Sequence, residues 1–151
     1  MKEKLLVSSC LLGIHCKYSG GHNRLSKKKL DLLNKYYNCI PVCPEQMGGL
    51  STPRNPSEIS VDSGRVITNL GEDVTDYFEK GAKEVCAVAK IFEVKKALLK
   101  SKSPSCGVKT VYDGTFQSIL ISGMGLTAKK LLTCGLILYD EMDFFQENKS
   151  E

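Results

Sequence analysis

Short apolar runs alternate with helical patterns along most of this chain, and that alternation narrows the folds open to it more than any other feature. Lys4 to Val7 reads as a strand. "LSKKKLDLLNKYY" follows, with Leu30, Leu33 and Tyr37 at helical spacing and Ser26 placed to cap the first turn. "NCIPVC" is a second short strand, and "SEISV" and "RVITN", joined through Asp62, Ser63 and Gly64, read as a hairpin. A longer helix starts near Thr75, its candidate cap, with a stripe of Tyr77, Phe78, Gly81, Val85, Val88 and Phe92. "KKALLKS" is a third strand and Asp113-Gly114 marks a turn. "LTAKKLLTCG" is a helix capped by Thr127 and stopped by Gly135, and "LILYD" is the last strand. This order predicts a single α/β domain over residues 1–151: a mainly parallel sheet, flanking helices and a small inserted β-hairpin.

In such sheets ligands bind beyond the carboxyl ends of the strands. Cys10 in "SSCLLG", Cys43 in "PVCPE" and Cys106 in "KSPSCG" each follow one of the first three parallel strands. No local motif joins these cysteines; only the fold would bring them to one sheet edge. Pro44 and Glu45 follow Cys43, and Ser103, Pro104, Ser105 and Gly107 surround Cys106. Proline and glycine set loop geometry and let backbone N–H groups approach a ligand. Hydroxyls and N–H groups can donate hydrogen bonds to sulfur and so tune a metal centre.

The chain has seven cysteines in 151 residues. The count is odd and the chain is too large to need disulfide staples, so free thiols used in metal binding or catalysis are expected. Cys86 in "EVCAVAK", Cys134 in "LLTCG" and Cys39 ahead of an apolar strand read as small buried hydrophobes. The apolar stretch Leu5, Leu6 and Val7 is too short for a secretory leader or a lipidation signal. No run reaches the roughly 18 apolar residues of a membrane span. A cytoplasmic protein without a membrane partner is expected. Twenty-one basic against 17 acidic residues leave a net charge of only +4, compatible with a phosphate-bearing partner without implying one. Thiolates suit zinc, copper(I) and iron–sulfur clusters alike. The CxxC pairs usual in closed zinc sites and the ferredoxin-type cysteine run are both missing.

"SSCLLG" with "YSGGHNR", then "PVCPEQMGGLSTPR", "KSPSCG" and "GLTAKKLLTCGL" stand in this order over nearly the whole chain. Together they resemble the DUF523 family of thiouracil desulfidases. The resemblance implies a [4Fe–4S] cluster held by three cysteines, with one iron not ligated by protein. It also implies non-redox removal of sulfur from a thiolated uracil, of thiouracil or 4-thiouridine type. Carried over by motif, Cys10, Cys43 and Cys106 are the cluster ligands, and Glu45 and Ser103 the catalytic polar pair. Glu45 would activate a water as general base, and Ser103 would orient the water or the ring. Ser9, Ser105, Arg54 and His22 are the candidate substrate contacts. Cys16, which the motif does not require, is a spare thiol near the site. The expected partner is a small thiolated base or nucleoside. tRNA is not favoured, because the charge is modest and no RNA-binding module is recognisable. A structural zinc protein and an iron–sulfur carrier are the competing classes, and the oligomeric state is left open.

Overall fold

The computed structural model describes residues 2–147. The chain runs through β1 (Glu3–Ser8), a 3₁₀ turn (Ser9–Leu12), α1 (Lys27–Tyr36), β2 (Tyr37–Val42), α2 (Pro44–Met47), β3 (Ser57–Ile59) and β4 (Val66–Thr68). It continues through α3 (Thr75–Ile91), β5 (Lys96–Leu99), β6 (Thr110–Tyr112), β7 (Leu120–Ser122), α4 (Leu126–Thr133), β8 (Ile137–Asp140) and α5 (Phe144–Glu147). Among these residues β2, β1, β5 and β8 lie side by side in that order, all parallel. The expected parallel α/β sheet is therefore present. β1 pairs on both sides, Leu6 standing opposite Ile40 of β2 and Ala97 of β5.

Successive strand residues point to opposite faces of a sheet, and both faces here are covered. Leu6, Ala97 and Leu99 pack with Val85, Cys86 and Ala89 of α3 and with Ala128 and Leu131 of α4. Leu5, Val7 and Leu98 pack on the other side with Leu33, Tyr37 and Phe144. The unbroken apolar run of β1 is thus the signature of a strand buried on both faces. Ser26 caps α1 as expected, its Oγ accepting the Lys29 N–H at 3.3 Å.

Four local expectations are corrected. Val74, not Thr75, occupies the N-cap of α3. The Thr75 hydroxyl instead donates to Asp73 Oδ1 at 2.6 Å and accepts the Val66 N–H at 2.8 Å, tying α3 to β4. The buried stripe of α3 is rotated from the expected one: Tyr77 and Phe92 are exposed, and Phe78, Gly81, Ala82, Val85, Cys86 and Ala89 are inside. Gly81 stands where α3 meets α2, because a Cβ there would run into the Pro44 carbonyl. Gly125 rather than Thr127 precedes α4, and Thr127 is buried. Cys86 and Cys134, expected as free packing thiols, form a disulfide that links α3 to the end of α4.

The β3–β4 hairpin is as expected. A second antiparallel hairpin, β6–β7, surrounds the Asp113-Gly114 turn. Its second strand is exposed and lacks an inward apolar face, so periodicity did not reveal it. No helix among the described residues is long and apolar enough to cross a membrane.

Candidate active site

The carboxyl ends of β2, β1 and β5 are neighbours, and the chain leaves each by a different device. After β1 the 3₁₀ turn carries Ser9 and Cys10, and Gly13 closes it at φ +100. The Asn23 and Leu25 N–H groups then donate to the Cys10 and Leu11 carbonyls at 3.0 and 2.9 Å. Those bonds fold the following loop back and return Cys16 to the side of Cys10. After β2, extended Cys43 precedes α2, with Pro44 pre-set for its first turn.

After β5 the loop through Cys106 is held from two directions. Ser103 Oγ accepts the N–H groups of Ser105 and Cys106 at 3.1 and 3.0 Å. The first N–H groups of α4, from Leu126 and Thr127, donate to the Pro104 and Ser105 carbonyls at 2.9 and 3.0 Å.

These segments enclose a cavity of about 470 Å³. Cys10, Cys43, Cys106, Glu45, Ser103, Ser9, Ser105 and Arg54 all line it. Cys16 lines it too. His22 does not: its Nδ1 accepts the Arg24 N–H at 3.0 Å, and its ring stacks edge-on against His15 at 5.1 Å.

Glu45 is the centre of a polar chain. Its Oε1 accepts Arg54 Nε at 3.0 Å, and its Oε2 accepts the Ser105 hydroxyl at 2.8 Å. The two side chains of the ion pair are only 8% and 15% exposed, so water screens this pair little. Arg54 is held in turn by Thr52 Oγ1 at 2.8 Å and by the Cys16 carbonyl at 2.9 Å. A serine hydroxyl has one proton. Ser105 uses its proton on Glu45, so the 2.9 Å contact between Ser103 and Ser105 has Ser103 as donor. The order Ser103, Ser105, Glu45 follows from that inventory. Ser105 Oγ also lies 3.7 Å from Cys106 Sγ.

Burial pushes the Cys10 thiol up, opposed by a hydrogen bond from Asn23. Cys16 is pushed up to about 12 by burial and by the neighbouring Cys43 and Cys10 sulfurs. Cys106 is also pushed up to about 12 by burial, with the nearby Ser8 and Ser105 hydroxyls pulling the other way. Uncomplexed, these thiols keep their protons; a coordinating metal centre deprotonates such groups outright. Among the described residues, no three His, Cys, Asp or Glu side chains are gathered to hold one metal ion.

Sequence reasoning missed a second network on the cavity wall. Lys100 Nζ donates to Glu141 Oε2 at 2.8 Å, and the Ser101 N–H donates to Glu141 Oε1 at 2.8 Å. The Lys100 N–H donates to Ser8 Oγ at 2.9 Å. Glu141 follows β8 and meets Lys100 only because β5 and β8 pair in parallel. No sequence motif signals that meeting.

In class, this is a parallel α/β protein with a thiol-lined ligand cavity at the carboxyl edge of its sheet. The chain belongs to the 2-thiouracil desulfurase family, whose model matches residues 5–143. The uncharacterized protein YbbK of Bacillus subtilis (strain 168) is 39% identical over 145 residues, covering 91% of this chain and 95% of that protein. The solved structure of the [4Fe–4S]-dependent thiouracil desulfidase TudS is similar at a TM-score of 0.89 and 34% identity. That match covers 99% of this chain and 97% of the other.

Proposed function

We propose that this protein removes sulfur from a thiolated uracil without net redox change, using a [4Fe–4S] cluster held by Cys10, Cys43 and Cys106. One iron of that cluster would have no ligand among these three cysteines. The observation that carries the reading is the convergence of these thiols, from the ends of three adjacent parallel strands, with the Glu45 chain in one cavity. The donor set suits the cluster: thiols are soft ligands, and polar groups of Asn23 and Ser8 interact with the Cys10 and Cys106 sulfurs. A single-ion zinc site finds no matching group of side chains among the described residues.

When bound, the cluster held by Cys10, Cys43 and Cys106 would supply a Lewis-acidic iron that polarises the carbon–sulfur bond of the substrate. Glu45 takes a proton from a water as the water oxygen bonds to that carbon. Both its oxygens already accept one hydrogen bond, but a carboxylate offers about four lone-pair sites, so acceptor capacity remains. Arg54 fixes the carboxylate plane through its hydrogen bond to Oε1. Ser105 holds Oε2 by donating to it, and Ser103 donates in turn to Ser105, so the chain orients the carboxylate that receives the proton. The carbon–sulfur bond breaks, hydrosulfide and uracil leave, and no electron is stored. Ser9 and the cavity wall contact the base; His22, turned away from the cavity, takes no part. A free base or nucleoside is the substrate class, in a cytoplasmic setting, and tRNA is not favoured.

Anaerobic purification tests the cofactor: a brown protein with iron and acid-labile sulfide is expected, and colourless protein with stoichiometric zinc overturns the reading. Release of sulfide and uracil from 2-thiouracil without added reductant tests the reaction; a requirement for a reductant favours an electron carrier. Cys10→Ser, Cys43→Ser and Cys106→Ser are each expected to lose the cluster, while Cys39→Ser, off the cavity, keeps it.

A further inference from the structure

Cys16 is the cavity thiol that the proposed reaction leaves unused. It is 2% exposed, and it lines the same cavity as Cys10, Cys43 and Cys106. Its backbone is anchored: the carbonyl accepts Arg54 Nη2 at 2.9 Å and the Cys43 thiol at 3.8 Å, and its N–H donates to the Ile14 carbonyl at 2.9 Å. Its side chain faces the Cys43 and Cys10 thiols. The remaining free cysteine, Cys39, is absent from the cavity lining. The cavity therefore presents as many thiols as a [4Fe–4S] cluster has irons.

A buried thiol lining a cavity with three others, its backbone carbonyl held by the arginine that also holds Glu45, is poorly explained as packing. An apolar side chain would fill that space without placing a fourth soft ligand there. Cys16 also differs from the other three in what carries it. Cys10 and Cys43 directly follow strands, and Cys106 sits in a loop pinned by α4. Cys16 sits in the longer, irregular connection between the 3₁₀ turn and α1. Such a ligand can leave and return without disturbing the sheet.

We propose that Cys16 is a displaceable fourth ligand, holding the iron left by the other three cysteines until a substrate sulfur takes its place. This rests on the cluster reading above. On ligation the thiol loses its proton to solvent and an iron–sulfur bond forms. On displacement that bond breaks and the sulfur takes a proton back, with no electron transferred. The iron that does the chemistry would then be shielded from oxidants between turnovers.

The test compares wild-type protein, Cys16→Ala, Cys16→Ser and Cys39→Ala, all purified anaerobically. Iron and sulfide contents, the electron paramagnetic resonance of the reduced cluster, and the rate of conversion to [3Fe–4S] under ferricyanide are measured. All four proteins are expected to carry the cluster, and Cys39→Ala to match wild type throughout. The Cys16 variants are expected to lose the fourth iron on the order of 10-fold faster, the scale on which losing a metal-site partner weakens retention. Adding 2-thiouracil is expected to change the wild-type spectrum more than the variants' spectra, since only wild type exchanges a protein sulfur. Serine preserves the size of cysteine, so Cys16→Ser decides the matter if the alanine variant folds poorly. Cys16 variants that carry the cluster and match wild type in rate and spectrum overturn the proposal. Folded Cys16 variants with no cluster also overturn it, by making Cys16 a permanent ligand. Wild-type protein without iron overturns the cluster reading itself.

Discussion

Gly81→Ala tests what seats the segment carrying Cys43 and Glu45. α2 is one short turn, and it meets α3 glycine to glycine. A Cβ on Gly81 would overlap the Pro44 carbonyl oxygen and lie 2.8 Å from its carbon, and one on Gly48 would lie 2.9 Å from the Tyr77 carbonyl carbon. Carbon and carbonyl oxygen rest about 3.3–3.6 Å apart, so alanine at 81 drives Pro44 back by on the order of 1 Å. Two effects oppose each other. Alanine gains about 0.8–1 kcal/mol over glycine within a helix. Overpacking costs about 1–3 kcal/mol, towards the upper end here because a backbone carbonyl cannot rotate aside. The net expectation is a loss of up to about 2 kcal/mol, or up to about 4–8 °C in Tm for a chain of this size. The effect on activity is larger, because Cys43 and Glu45 flank Pro44. A displacement on the order of 1 Å costs about 100-fold in turnover. Thermal unfolding, iron content and sulfide release from 2-thiouracil measure the three effects. A variant with wild-type or higher Tm and undiminished turnover would show that helix propensity outweighs the contact, and that the glycine pair does not position the site.

The remaining predictions concern the polar networks. Glu45→Gln keeps the size and much of the hydrogen bonding but removes the base; it is expected to assemble the cluster and lose on the order of 100-fold in turnover. Near-normal turnover with intact iron would remove Glu45 from the mechanism. Ser105→Ala strips the donor from Glu45 Oε2. Turnover is expected to fall about 10- to 100-fold, the rate equivalent of one hydrogen bond to a charged group, and a wild-type rate would break the inferred chain. Burial disfavours the Glu141 charge, yet Lys100 and the Ser101 N–H outweigh it and hold its carboxyl below the usual glutamate value of 4.5. A lowered folded value stabilises the protein above the unfolded value, and that contribution fades as pH falls through the folded one. Denaturant midpoints are therefore expected to drop from about pH 5 downward, and less steeply in Glu141→Gln; parallel acid limbs would refute the assignment.

The four strands of the parallel sheet were legible in the sequence because each is a short apolar run, and periodicity reports burial directly. The Ser26 cap and the β3–β4 hairpin were legible because both are set by neighbours along the chain. So was the arrival of Cys10, Cys43 and Cys106 at one edge: each follows a strand, and parallel strands end on the same side. The rotated stripe of α3 was not legible. Tyr77 and Phe92 are large and apolar yet stay exposed, while the face packed against α2 and α4 takes Gly81, Ala82, Cys86 and Ala89 beside Phe78 and Val85. That Ser105 rather than Ser103 touches Glu45, that Arg54 also reaches the Cys16 carbonyl, and that Glu141 anchors Lys100 depended on contacts between distant segments. Sequence patterns record what each residue prefers of its local backbone and of solvent. Which polar group meets which across the cavity is decided by where loops of different strands come to rest, and no local preference encodes that.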